Sequence, residues 1–142
     1  MRFDNSDERS NPVDVIYDSD NDPGIGRGNY KISNSSIVGN KIYVADGHCI
    51  VLENGSSNNT VTGNVLEGDG AGDSSDDGIY LVGDSDNNII SSNIVRNKDR
   101  YGINISSSDV DNTYISDNDF SGNGSGEIND AGTGTIIATY SF

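Results

Sequence analysis

The chain has 142 residues and carries 23 Asp plus Glu against 8 Lys plus Arg, which gives a formal net charge of −15. This length corresponds to a single domain, and no apolar run approaches the roughly 20 residues of a membrane-spanning helix. The acidic excess argues against nucleic-acid binding, which needs Lys and Arg against phosphates. The one cysteine, Cys49, excludes an internal disulfide and a Cys-based zinc site.

The chain is predicted to divide into two parts. Residues 1–29 are expected to form an N-terminal segment that contains a partial first coil and an acidic loop, and residues 30–142 are expected to form the main domain. The polar residues 1–10 lack the apolar region of a signal peptide. We therefore expect no insertion into a membrane and no removal of a leader peptide.

The acidic loop contains a pattern that resembles a calcium-binding loop. Asp18, Asp20 and Asp22 alternate, and oxygen ligands at alternate positions can chelate one Ca²⁺. The EF-hand pattern, however, requires Gly where Pro23 stands and a bidentate Glu where Asn29 stands. We favour a solvated loop over a calcium site, and we expect no required cofactor, with Ca²⁺ or diffuse monovalent cations as the candidates for any bound ion.

One short motif recurs through the main domain: an apolar residue, two small or polar residues, Asn, and a further apolar residue. The intervals between successive Asn residues are 24, 29 and 25 residues, and the residues are Asn40, Asn64, Asn93 and Asn118. Apolar triplets at 50–52, 79–81 and 103–105 precede the last three copies. Alternation within the triplets predicts short strands with one buried face. Each unit is therefore predicted to be strand, turn, strand, turn, and units that cannot bury an apolar face alone must stack.

This repeat resembles the right-handed parallel β-helix of the pectin-lyase-like superfamily, and within it the repeats of NosD-type domains. The segments 58–61 (Asn-Asn-Thr-Val) and 87–90 (Asn-Asn-Ile-Ile) carry the resemblance together with the Asn motif. The resemblance implies an all-β fold, a right-handed single-stranded parallel β-helix of about five short coils. It does not imply one function, because this fold hosts lyases, hydrolases, adhesins and viral spikes.

Stacked coils place equivalent residues about 4.8 Å apart, so the repeat predicts columns of side chains. The four Asn residues of the motif are predicted to form a ladder of side-chain amides, in which each amide donates to and accepts from the next coil. The predicted inward columns are Ile37, Val61, Ile90 and Ile115; Ile50, Ile79 and Ile103; Leu52, Leu81 and Ile105; and Ile42, Leu66, Val95 and Phe120.

The same alignment brings together the residues whose side chains could take part in catalysis. When the triplets are in register, His48 lies in one column with Asp77 and Tyr101, and Asp76 lies beside Arg100. A carboxylate next to the single histidine is a candidate acid–base site. The pair Asp76-Asp77 with Gly47-His48 is similar to the polygalacturonase-like enzymes of this fold, but the order is reversed and the Arg-x-Lys motif is missing. We therefore favour a structural turn that contains a His–Asp contact.

A second candidate is a sugar-contacting face. Tyr80 and Tyr101 offer rings on which a sugar can stack, and Val51, Tyr80 and Asn104 are predicted to point outward from one column of strands. Ordinary surface residues remain the favoured interpretation of this pattern.

The acidity is typical of proteins that work in high salt, where dense carboxylates hold water and cations. We predict a non-enzymatic virion surface protein of a halophilic host: a capsid decoration, turret, spike or tail-fibre module. Its expected partners are further copies in a homotrimer or other homo-oligomer, other virion proteins, and host glycans or an S-layer. The alternative is a carbohydrate-active lyase or hydrolase, or a fragment of one, and the alternative location is the extracellular or cell surface of a halophile.

Overall fold

The computed structural model describes residues 31–44, 46–72 and 75–138, together with the backbone of residues 16–18. In this part of the chain the regular elements are β-strands, and no helix is long and apolar enough to cross a membrane. The strands are β1 (Ile16–Asp18), β2 (Ser36–Val38), β3 (Lys41–Val44), β4 (Ile50–Leu52), β5 (Thr60–Thr62), β6 (Val65–Glu67), β7 (Ile79–Leu81), β8 (Ile89–Ser91), β9 (Ile94–Arg96), β10 (Tyr101–Ile105), β11 (Tyr114–Ser116), β12 (Asp119–Ser121), β13 (Gly126–Asp130) and β14 (Ile136–Ala138).

The strands form three parallel sheets around one core. Sheet A has the order β1-β3-β6-β9-β12, sheet B the order β4-β7-β10-β13, and sheet C the order β2-β5-β8-β11-β14. Each coil passes through sheets C, A and B in turn, and the strands from β2 to β13 make four complete coils. The prediction of an all-β parallel solenoid is confirmed, and the coil count is close to the predicted five.

The repeating unit contains three strands, so the prediction of two was wrong. The Asn motif is not one strand, because it bends between sheet C and sheet A. The residue before each Asn adopts a positive φ: 71° at Gly39, 66° at Gly63, 57° at Ser92 and 55° at Asp117. This left-handed backbone turns the chain within two residues and divides the motif into two short strands.

The core consists of the predicted columns. Val61 is paired in register with Ile37 before it and Ile90 after it, and the other three columns are paired in the same way. All of the predicted inward residues are buried except Phe120, which is partly buried. Phe120 belongs to β12, the last strand of sheet A, so no further strand of that sheet covers it. Each fully buried Ile or Leu stabilises the fold by about 1.5–3 kcal/mol.

The Asn residues of the motif form a hydrogen-bonded ladder at the corner between sheets C and A. The backbone N–H and the side-chain Nδ2 of Asn40 both donate to Oδ1 of Asn64, each at 2.9 Å. Asn64 donates in the same way to Asn93 at 3.1 and 2.9 Å, and Asn93 donates to Asn118 at 3.0 Å from both groups. The corner therefore satisfies its backbone and side-chain groups by repetition of one contact.

A second, shorter ladder lies at the corner that leads into sheet C. Asn59 donates from its backbone N–H and its Nδ2 to Oδ1 of Asn88, at 2.9 and 3.0 Å, and Asn59 in turn accepts from the N–H of Ser35. In the following coil the equivalent residue is Thr113, which is buried and whose Oγ1 has no hydrogen-bond partner. The second ladder therefore ends one coil earlier than the first.

Candidate functional site

The candidate site lies at the corner between sheets A and B. The chain crosses this corner between β3 and β4 in the first coil, between β6 and β7 in the second and between β9 and β10 in the third. The long crossing in the second coil explains why the interval between Asn64 and Asn93 is the longest of the three. The predicted register is confirmed, because the Cα of Ile79 is paired with those of Ile50 and Ile103.

Asp77 is the centre of this corner. It has no solvent exposure, and its carboxylate forms a two-pronged ion pair with Nε and Nη2 of Arg100. It also accepts the backbone N–H of Tyr101 at 3.0 Å and Nδ2 of Asn104 at 2.9 Å. The hydrogen bond to Asp77 is the main cause that raises the pKa of Arg100. Both oxygen atoms of this buried carboxylate are therefore satisfied by hydrogen bonds.

His48 lies next to the same carboxylate, but its hydrogen bond is to the backbone of Asp77. Its Nδ1 lies 3.5 Å from Oδ2 of Asp77 and accepts the backbone N–H of Asp77 at 3.0 Å. Its ring stacks on Tyr80, with the centroids 4.4 Å apart and an interplanar angle of 4°. Burial lowers the pKa of His48, against the opposing effect of Asp77 and Asp76. The neutral imidazole therefore carries its proton on Nε2 and presents a donor.

The other predicted residues have different partners. The carboxylate of Asp76 accepts the backbone N–H of Gly47, and the carbonyl oxygen of Asp76 accepts the N–H of Arg100 at 2.9 Å. Tyr101 contributes its backbone to Asp77, while its ring lies beside Gly126. The structure thus brings His48 and Arg100 each into contact with Asp77, and it assigns Asp76 and Tyr101 to neighbouring parts of the corner.

The predicted open face at Val51, Tyr80 and Asn104 is wrong in two of its three members. Val51 and Asn104 are buried, and only Tyr80 is partly exposed. The side-chain amide of Asn104 links consecutive coils: it donates to Asp77 and accepts from Nδ2 of Asn129 at 2.9 Å. One face of the Tyr80 ring is occupied by His48.

Lys98 is a member of the corner that sequence reasoning missed. Its side chain is almost fully buried. Its Nζ donates to the carbonyl oxygens of Val44 at 3.1 Å and Gly47 at 2.9 Å. The side chain passes Gly68, where a Cβ atom would lie 3.0 Å from Cδ and 3.1 Å from Nζ of Lys98. Lys98 stands next to Asp99 and Arg100 in the sequence, so nothing in the local pattern distinguishes it from a solvated charge.

The described residues contain no group of three or more His, Cys, Asp or Glu side chains that could hold a metal ion. Of the predicted calcium ligands, Asp18 ends β1, where its Cα is paired with that of Val44. Asp20 and Asp22 lie outside the described residues. Cys49 is fully buried, and burial raises the pKa of its thiol to about 11, so it is a protonated core residue at neutral pH.

Comparisons with known proteins agree with the geometry of the coils. Neither the search of curated proteins nor the search of solved structures found a significant match. A scan of family models found one match, to the model described as right handed beta helix region, which covers residues 15–141. This match spans far more than half of the chain and agrees with the three parallel sheets. The chain therefore belongs to the right-handed β-helix family.

Proposed function

We propose that the chain is a non-enzymatic structural module at the surface of an assembly, a virion decoration, turret, spike or tail-fibre module. The observation that carries this proposal is the state of Asp77, which is fully buried and bound by Arg100, Tyr101 and Asn104. A catalytic acid or base must reach the substrate and exchange a proton with it. Asp77 instead fastens neighbouring coils to one another.

His48 supports the same interpretation. The lone pair on Nδ1, which a general base would use, accepts the backbone N–H of Asp77. The remaining nitrogen, Nε2, is a donor, and the His48–Tyr80 stack forms a partly exposed aromatic surface beside β4 and β7 of sheet B. A hydrogen-bond donor beside an aromatic ring suits contact with a sugar. We therefore assign this stack as the contact for a host glycan or a glycosylated S-layer.

The setting of this module is inferred from the charge and the repeats. A net charge of −15 on a chain of 142 residues suits molar salt, in which the repulsion between carboxylates is screened. The Asn ladders suit the NosD-type branch of the pectin-lyase-like superfamily. We place the module on a virus of a halophilic host or, as the alternative, on the outer surface of such a cell.

Depolymerisation assays test the non-enzymatic role. The purified chain at molar salt is expected to release no reducing or unsaturated ends from acidic and neutral polysaccharides. The opposite result would establish the carbohydrate-active alternative: the chain releases such ends, and Asp77→Asn and His48→Ala abolish the release while they retain the circular dichroism of the fold. Glycan-array binding that is lost in Tyr80→Ala is the expected positive result.

The location and the salt dependence have tests of their own. Mass spectrometry of purified virus particles is expected to detect the chain, whereas its exclusive recovery from cell envelopes would favour the cellular alternative. Dialysis from molar to millimolar salt is expected to lower the melting temperature. An unchanged melting temperature would contradict the halophilic setting.

A further inference from the structure

The Nδ1 atom of His48 lies between two groups of Asp77 that respond in opposite ways to a proton. It accepts the backbone N–H of Asp77 at 3.0 Å, and it lies 3.5 Å from Oδ2 of the Asp77 carboxylate. The first contact needs the lone pair of the neutral ring, whereas a hydrogen bond to Oδ2 needs a proton on Nδ1. The neutral ring therefore keeps the first contact, and a proton on Nδ1 removes it.

The carboxylate of Asp77 is already occupied by other donors. Its Oδ1 accepts Nε of Arg100 at 3.3 Å and the backbone N–H of Tyr101 at 3.0 Å. Its Oδ2 accepts Nη2 of Arg100 and Nδ2 of Asn104. A carboxylate offers about four acceptor positions, and these four bonds use them. A protonated His48 would have to displace one of these donors, and its Nδ1–H would also face the N–H of Asp77, donor to donor.

The ring of His48 can leave this position while the backbone on either side stays bound. The side chain is 22% exposed, so water reaches it. The N–H of Gly47 donates to the carboxylate of Asp76. The N–H of Cys49 donates to the carbonyl oxygen of Asp77 at 3.3 Å. A rotation of the His48 side chain is therefore enough to place a charged ring in water.

We propose that His48 is an acid-sensitive latch, which is closed when the neutral ring stacks on Tyr80 and open when protonation turns the ring toward solvent. In the closed state the ring covers one face of Tyr80 in β7, with the centroids 4.4 Å apart. In the open state this face is uncovered, and the N–H of Asp77 loses its acceptor. Acid therefore dismantles the aromatic contact for a glycan, a consequence that rests on the proposed function.

The charged groups around His48 determine the pH at which the latch opens. Asp77 and Asp76 face it from the turn before β7, and Arg100 and Lys98 face it from the turn before β10. Burial is the largest effect and lowers the pKa of His48 below its ordinary value of 6.5. The two carboxylates oppose this shift, and the two cations add to it. The latch is therefore closed above pH 6.5 and opens as the pH falls through the lowered pKa.

A pH titration of the isotope-labelled chain by NMR at molar salt tests the latch. The imidazole of His48 is expected to be the Nε2–H tautomer at neutral pH. On protonation of the ring, the amide signal of Asp77 is expected to shift with the same apparent pKa as His48, and the nuclear Overhauser contacts between the rings of His48 and Tyr80 are expected to disappear. The hydrogen-exchange protection of the Asp77 amide is expected to fall by about tenfold, as the loss of one hydrogen bond predicts.

The chain offers an internal control and a matched variant. The amide of Tyr101 donates to Oδ1 of Asp77, so titration of the carboxylate would shift its signal, whereas opening of the latch leaves that signal unchanged. In His48→Asn, the side-chain oxygen can accept the N–H of Asp77 in place of Nδ1, but it takes up no proton. The Asp77 amide of this variant is expected to keep its protection over the whole pH range.

Three results would overturn the latch. The first is an Asp77 amide that does not respond while His48 titrates, and the second is an unbroken stack of the protonated ring on Tyr80. The third is a joint shift of the Asp77 and Tyr101 amides, which would assign the change to the carboxylate. None of these measurements involves a glycan. Their failure would leave the glycan contact to the array experiment, and a failure of the array experiment would leave the latch intact.

Discussion

The asparagine corner between sheets C and A and the Asp77 corner between sheets A and B both bury polar groups, but they satisfy them in different ways. At the first corner, identical neutral amides such as those of Asn64 and Asn93 repeat one contact from coil to coil. At the second, the carboxylate of Asp77 accepts hydrogen bonds from Arg100, Tyr101 and Asn104. The first arrangement distributes stability over the stack, and the second concentrates it in one residue.

The largest expected effect comes from removing that residue. Asp77→Ala leaves the donors of Tyr101 and Asn104 without their acceptor and separates Arg100 from its charge partner. Breaking a buried, hydrogen-bonded ion pair costs about 3 kcal/mol or more. Urea denaturation at molar salt is expected to show this loss in the free energy of unfolding. The matched control, Asp119→Ala on the exposed face of sheet A, is expected to change it by less than ~0.5 kcal/mol. Equal effects would refute the concentration of stability at Asp77.

The loss of stability caused by an Asn→Ala substitution in the asparagine ladder is expected to depend on the position of the residue in the stack. Asn93→Ala removes the acceptor for the backbone N–H and Nδ2 of Asn64 in a buried position, and it is expected to cost about 2–3 kcal/mol. Asn118→Ala acts at the last, partly exposed member of the ladder, where water can reach the orphaned groups, and it is expected to cost about 1 kcal/mol. The same urea titrations measure both values. A larger loss for Asn118→Ala would contradict a ladder that is supported from both sides.

The second ladder can be lengthened by one substitution. Thr113→Asn places an Oδ1 where the backbone N–H of Asn88 can donate, as Asn59 donates to Asn88 one coil earlier. It also removes the unpaired Oγ1 of Thr113. The expected gain in the free energy of unfolding is about 1 kcal/mol. Thr113→Val is the control, since it removes the hydroxyl without extending the ladder, and a gain no larger than that of the control would refute the extension.

The smallest expected effect is the pH dependence that His48 confers. Burial lowers the pKa of His48 in the folded chain below its ordinary value of 6.5, so the unfolded chain takes up the proton first as the pH falls. The stabilising contribution is thus present above pH 6.5 and is lost as the pH falls through the folded-state pKa. The difference in stability between the wild type and His48→Gln should therefore shrink as the pH falls over this window. A difference that grows on acidification would contradict the lowered pKa, which NMR titration of the imidazole measures directly.

The features that repeat could be predicted from the sequence. The spacing of Asn40, Asn64, Asn93 and Asn118 places them at one corner, and the apolar triplets specify the inward columns, because stacking forces equivalent residues into register. The number of strands per coil could not be predicted, since it depends on the backbone conformation of the residue before each Asn. The short ladder of Asn59 and Asn88 repeats only once, which is too little to establish a pattern.

The features that occur once could be predicted only in part. Register places His48 and Asp77 together, but it does not reveal the direction of their side chains. The Asp77 carboxylate turns toward Arg100 and Asn104, and His48 Nδ1 accepts a backbone N–H. Both depend on side-chain rotamers. The burial of Lys98 has the same origin, because its path past Gly68 exists only after three coils have stacked.

The reach of Lys98 has a consequence for how the chain unfolds. Solenoids are commonly treated as one-dimensional arrays in which each repeat senses only its immediate neighbours. Lys98, in the third coil, donates across the second coil to carbonyl groups of the first, 54 and 51 residues earlier in the chain. Fraying of the first coil would therefore remove the hydrogen-bond acceptors of Lys98 Nζ, which is buried two coils away. The first three coils should consequently open together, as one cooperative unit, and protection against hydrogen exchange should be uniform across them.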